Sequence, residues 1–141
     1  LENVVAKILV TLGIVFYAVV IPILEVNGTH VFNPEWPSHA RLHEVWQLAT
    51  NTSMGIFALW LIWFRDEIWL PALFTFFIFG GFLFSYFTGQ LYGGSMVLSD
   101  GSEKTLLGMN LGMFAGALAI AFAAVALDLD RRARNERLKE S

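Results

Sequence analysis

Four stretches of the chain carry no Asp, Glu, Lys or Arg: residues 8–24, 45–64, 68–99 and 105–127. Runs of this kind are what a helix needs to cross the ~30 Å hydrocarbon core of a bilayer, about 20 residues at ~1.5 Å each. The chain has 141 residues, 56% hydrophobic and 15% charged, which is apolar material for four spans with little to spare. A soluble domain carries about a quarter of its residues as charges, so a water-soluble enzyme is excluded. There is no cysteine, which removes disulfide frameworks, thiolate metal sites and thiol nucleophiles. A net charge of −3 leaves nothing for a nucleic acid to bind. The expected fold class is all-α, an integral membrane four-helix bundle forming one transmembrane domain over residues 1–141.

The first window is short, but it extends back through Val4 if Lys7 snorkels to the headgroups. The third is too long for one span, and Gly89, Gly93 and Gly94 predict a helix end near residue 91. Spans are therefore expected at about 4–25, 42–64, 68–91 and 105–128, with loops at 26–41 and 92–104 and a tail at 129–141. Lys7, Arg65, Arg131, Arg132, Arg134, Arg137 and Lys139 fall on the side of the termini, against Arg41 and Lys104 opposite. The positive-inside rule then makes the termini cytoplasmic and the two loops outer. Trp36, Trp46, Trp60, Trp63 and Trp69 lie near span ends, as an aromatic belt requires.

Polar groups in hydrocarbon are costly and tend to mark function or helix pairing. Here they gather at the outer end: Tyr17 in span one, Gln47 and Asn51 in span two, Tyr86 in span three, and Asn110 in span four. His39, His43, Gln47 and Asn51 are four apart and form one stripe on a helix that Ser38 would cap. That stripe is expected to face the bundle or a water-filled pocket. Gly81, Ser85 and Gly89, and then Gly108, Gly112 and Gly116, repeat at the same spacing and suit close helix packing, within the chain or between copies.

The run from Thr29 to His43 packs three histidines, Glu35, Arg41 and two prolines into 15 residues. Its pattern, Thr-His-x-Phe-Asn-Pro-x-Trp-Pro-x-His-Ala-x-x-His, resembles that of a group of small four-span membrane proteins with no assigned activity. The resemblance implies the fold and singles out the segment. Ala40-Arg41-Leu42-His43 entering span two, with Asn51 further along, is also similar to the membrane-bound styrene oxide isomerases. Those are four-span proteins that isomerise epoxides to aldehydes with a bound haem, so this resemblance implies isomerase chemistry and a haem cofactor; of the three histidines here, His43 is the one expected to serve a haem as axial ligand.

Three readings of the segment stay open on its residues. In an acid–base reading, His43 and Glu44, aided by His39, exchange protons with a small lipophilic ligand whose oxygen Asn51 and Tyr86 hold, while Gln47, Asn110, Trp46, Tyr17 and Asn33 line its site. Imidazole suits that work because its ordinary pKa is ~6.5. In a metal reading, His39 and His43 ligate a divalent ion and His30 or Glu35 completes the site. In the third, the histidines hydrogen-bond loop carbonyls and headgroups, the prolines fix a cap, and Arg41 pairs with Glu25 or Glu35. The functional expectation is a bilayer protein that binds and transforms a small lipophilic molecule, alone or as a homo-oligomer. The alternatives are an accessory subunit of a larger membrane complex and a transporter; the latter is disfavoured by the lack of inverted repeats.

Overall fold

The computed structural model describes residues 2–98 and 101–140. The first rod runs as α1 (Glu2–Val15), a π-helical turn (Phe16–Val20) and α2 (Ile21–Glu25). α3 (Ser38–Arg65) and α4 (Trp69–Thr88) follow, the latter tightening into a 3₁₀ turn at Gly89–Leu91. A two-stranded hairpin, β1 (Thr105–Leu106) with β2 (Met109–Asn110), leads into α5 (Leu111–Glu140). The molecule is all-α but for that hairpin. Three helical segments are long and apolar enough to cross a membrane: Asn3–Glu25, Trp69–Leu91 and Leu111–Lys139. α3 is long enough but falls short in hydropathy, because Gln47 and the polar run Thr50 to Ser53 interrupt it.

The core is a seam of small and branched side chains at helical spacing. The first rod contributes Ala6, Val10, Ile14 and Tyr17, α4 contributes Ala72 and Phe79 with Ile68 just before it, and α5 contributes Ala119, Ala123 and Ala126. α5 packs most extensively on α1 and then on α4, and alanines at the contact let the axes approach. Gly13 lies where these three meet, with Thr75 and Ala119 closest to the position a Cβ would take. On α3 the buried residues are Leu48, Asn51, Gly55, Ala58 and Ile62, a three-four alternation that faces the first rod and α4. Gly55 is required there, because a Cβ would overlap the methyl of Ala18.

The π turn has a local cause. Pro22 has no N–H, so it cannot pair with Ala18 O, the carbonyl four residues back. The chain widens, Ile21 N bonds Phe16 O instead, and the Thr52 hydroxyl on α3 donates to Ala18 O at 3.1 Å. The missing bond thus becomes an interhelical one. At the opposite end Asp66 adopts a left-handed conformation to close α3, accepts from Asn3 Nδ2 at 3.2 Å and pairs with Lys7 at 2.8 Å. These contacts bring the start of α1 and the α3–α4 turn together at what we call the tail end; the 26–37 loop and the hairpin form the cap end.

Several expectations are corrected here. Gly108 belongs to no helical ladder: with Leu107 it forms the tight turn of the hairpin, both residues at positive φ. α5 therefore starts at Leu111, six residues later than the expected span, and continues as helix through the tail. Gly112 and Gly116 do pack against α4, but what fills them is Phe82 and Phe79, while Gly81 faces open space. Ser38 is the first helical residue and does not cap; Pro37 precedes it, and Pro37 O accepts from Ala40 N and Arg41 N at 3.0 and 3.2 Å.

Candidate functional site

The expected stripe on α3 divides. His39, His43 and Gln47 are exposed, and of the four only Asn51 turns into the bundle, 9% exposed. His39 Nε2 and His43 Nε2 stand 3.0 Å apart in a hydrogen bond, and Trp46 stacks on the His43 ring at 5.8 Å. Leu42 and Trp46 beside them are 63% and 65% exposed. The haem that the isomerase resemblance implies finds no slot at His43, which lies on an open helix face. His30 turns away from this pair to Glu25. Among the described residues no three or more of His, Asp and Glu converge as metal ligands, so His30 and Glu35 do not complete the site expected at His39 and His43.

The organised polar group is instead the loop over the end of the first rod. Asn27 Nδ2 donates to Leu24 O at 2.6 Å, which turns Asn27 Oδ1 toward Thr29. That oxygen accepts from both Thr29 N and the Thr29 hydroxyl, at 2.8 and 2.7 Å. Thr29 Oγ1 lies 2.8 Å from His30 Nδ1, and His30 Nε2 lies 2.7 Å from Glu25 Oε2. Asn33, 2% exposed, braces the loop: its Nδ2 donates to Thr29 O and its Oδ1 accepts from Glu35 N. The Asn27-Gly28-Thr29 tripeptide has the pattern of a glycan acceptor, yet the nitrogen a glycan would take is held by Leu24 O.

These contacts fix proton positions. A backbone carbonyl only accepts, so the Asn27 amide has one workable orientation. The Thr29 hydroxyl has one proton and gives it to Asn27, so it must accept from His30, whose Nδ1 is therefore protonated. A neutral His30 then presents a lone pair at Nε2, and the 2.7 Å contact to Glu25 requires one proton between them. Either Glu25 is a carboxylic acid beside a neutral ring, or it is a carboxylate beside an imidazolium. Burial, and secondarily the charge of Lys104, push His30 below its ordinary pKa. Glu44 repels the Glu25 carboxylate and Lys104 attracts it, so α3 and the 101–104 segment both act on the pair.

His30 also lines a cleft of about 120 Å³, together with Thr29, Trp36, Ser95, Met96, Val97 and Leu98. Trp36 meets the imidazole edge to face at 5.4 Å. The imidazole of the proton pair thus faces the cleft with Glu25 behind it, and the rest of the lining mixes polar groups with the apolar Trp36, Met96, Val97 and Leu98.

The remaining expected site residues lie elsewhere. Asn110 is the α5 cap: its Oδ1 accepts from Gly112 N and Met113 N, and its Nδ2 donates to Glu103. Tyr86 is on an exposed side of α4 against Phe87. Tyr17 is fully buried in the π turn, in edge contact with Phe79, its hydroxyl without a partner. Glu44 is half-buried, and Arg41 forms no ion pair with Glu35 or with Glu25, which His30 occupies. Sequence reasoning passed over Glu25 as an acid, over Asn27 and Thr29 as its orienting groups, and over Ser95 to Leu98. The available signal was Asn-Gly-Thr directly before a histidine, since Asn side chains bond backbone two residues on and so build a turn. No family model, curated protein or solved structure matches the chain.

Proposed function

We propose that the chain is a multi-pass membrane protein, tail end in the cytoplasm, that binds a small lipophilic molecule in the cap cleft and moves a proton on it in an isomerase-like reaction. What carries this reading is a carboxyl and an imidazole sharing one proton across 2.7 Å, with the imidazole lining a cleft of mixed polar and apolar walls. A carboxyl and an imidazole that share a proton across a hydrogen bond can give it up and take it back, which is what general acid–base catalysis uses. Glu25 and His30 take the roles that the sequence suggested for Glu44 and His43. Thr29 lines the cleft with its hydroxyl accepting from the ring, and a ligand oxygen that takes the Thr29 proton in place of Asn27 Oδ1 completes a relay from the imidazole; Trp36 and Met96 hold the apolar body. The outward faces of the rods are apolar, for example Ile8, Leu12 and Ile23 on the first and Phe77, Phe84 and Phe87 on α4, as lipid contact requires.

The test uses the full chain in lipid nanodiscs with two probes, an aryl epoxide and a β,γ-unsaturated ketone, following isomerised product by NMR. Glu25→Gln is expected to slow conversion about a hundredfold or more while the Trp36 fluorescence response to the probe persists; His43→Ala leaves both unchanged. Conversion of neither probe, or conversion that Glu25→Gln does not slow, overturns the reading.

One observation favours a second reading, a packing subunit in a larger membrane assembly. Gly80 and Gly81 present open space on α4, and Ser85 is exposed one turn on. In a chain without cysteine, Gly81→Cys is expected to cross-link neighbouring copies in the bilayer; absence of the cross-link removes association through this face.

A further inference from the structure

The histidine pair on α3 has no part in the proton pair at the cap, and its geometry is specific. His39 Nε2 and His43 Nε2 are 3.0 Å apart, the rings are near perpendicular at 89°, and both residues are exposed. A hydrogen bond between two Nε2 atoms requires one of them to be protonated and the other to accept through its lone pair. We infer that His39 and His43 form a two-nitrogen site for a divalent transition-metal ion, in which the ion replaces the proton between the rings. The donating ring moves its proton to Nδ1, so two neutral imidazoles meet the metal through Nε2 and no net proton is released.

The nitrogen donors favour Cu²⁺, which heads the divalent first-row series, and the spacing suits it. With bonds of ~2.0–2.1 Å, two nitrogens 3.0 Å apart subtend roughly 94° at the ion. That is the right angle of square-planar or octahedral coordination rather than the ~109° of a tetrahedral zinc site, and nitrogen donors in such geometry suit Cu²⁺ and Ni²⁺. The pair stands in the first two turns of α3, whose amino-terminal dipole repels a cation, and Arg41 lies between the two histidines in sequence. Both weaken binding, so this is a chelate with open positions for water or an exogenous donor. The stacked Trp46 ring supplies an optical reporter, since Cu²⁺ quenches indole emission.

The experiment titrates the tag-free full chain in detergent micelles with Cu²⁺, Ni²⁺ and Zn²⁺ alone, reading stoichiometry by equilibrium dialysis and quenching by fluorescence. One ion per chain is expected, with affinity falling from Cu²⁺ to Ni²⁺ to Zn²⁺. His39→Ala and His43→Ala are each expected to weaken Cu²⁺ binding at least about tenfold, because a chelate becomes a single ligand, with helicity unchanged. Trp46→Phe is expected to keep the stoichiometry and lose most of the quenching. Binding that survives the double variant overturns the site, as does its loss in His30→Gln. Glu25→Gln leaves binding intact in either case, so the outcome is independent of the proposed acid–base reaction.

Discussion

Asn27 directs the protons of the cap although its N–H bonds the backbone oxygen of Glu25, at 2.9 Å, rather than the carboxyl, and it does not line the cleft. Its amide is held by Leu24 O, its oxygen takes the Thr29 hydroxyl proton, and the proton on His30 is thereby forced to Nδ1. Asn27→Ala frees the Thr29 hydroxyl to donate to Nδ1, and the neutral His30 proton is expected to move to Nε2, toward Glu25. Nitrogen-15 shifts of the imidazole read the two tautomers separately; an unchanged Nδ1-protonated ring would show that Asn27 does not set it. A second consequence concerns pH. The folded state holds His30 below its ordinary pKa, chiefly through burial, with Lys104 adding to it, while the contact with Glu25, on which Glu44 also acts, keeps one proton on the pair. Unfolded, Glu25 is ionised above ~4.3 and His30 gives up its proton above ~6.5, so above that value only the folded pair binds a proton and stability falls as pH rises. Thermal midpoints of the wild type should decline as pH is raised above ~6.5, and Glu25→Gln should flatten the decline. Little of this was legible in the sequence. Counting by fours along α3 found the His39–His43 pair, because helical spacing alone brings those rings together. The Glu25–His30 contact depends on a reversal around Asn27, which no period describes.

At the scale of elements, the first rod, α3 and α4 followed from apolar windows and their charged borders, and their ends fell within a few residues of expectation. The start of α5 did not, because hydropathy sees Leu106, Leu107 and Met109 as span residues, whereas Leu107-Gly108 is a turn with two positive φ angles. The π turn was illegible for a related reason: Pro22 marked a break, but the partner of Ala18 O is Thr52, 34 residues away. Removing that hydroxyl strands the carbonyl. Thr52→Val is expected to destabilise the bundle by about 1–3 kcal/mol, the cost of a buried unpaired polar group. Pro22→Ala restores an N–H to the first rod and lets the π turn close to α-helix. In that background Thr52→Val should cost much less, and a double-mutant cycle on denaturation midpoints measures the coupling. Additive effects would mean that the interhelical bond does not substitute for the one proline removes.

For the whole molecule, the charge asymmetry read from the sequence coincides with a structural asymmetry between the two ends. The tail end is tied by ion pairs and aromatic contacts: Lys7 with Asp66, Lys7 over Trp63, Trp63 Nε1 to Thr11, and Arg134 with the nearly buried Asp130. The cap end is tied by neutral hydrogen bonds around Asn27, Thr29 and Asn33 and holds the cleft. Seven of nine cations stand at the tail end; in the orientation proposed above they meet anionic lipid of the cytoplasmic leaflet and resist translocation. A bundle with four helices and its first and last ends together has one orientation consistent with that bias. With no native cysteine, single replacements report it cleanly. Gly28→Cys, at an exposed loop position where a Cβ meets nothing, is expected to react with a membrane-impermeant maleimide on intact cells. Asn135→Cys, on the exposed last turns of α5, should react only after lysis. The inverse pattern would reverse the orientation and place the cleft on the cytoplasmic side. Labelling of both positions on intact cells would mean that the rods are not four spans, and α3, the least hydrophobic of them, is the one whose insertion would then have failed.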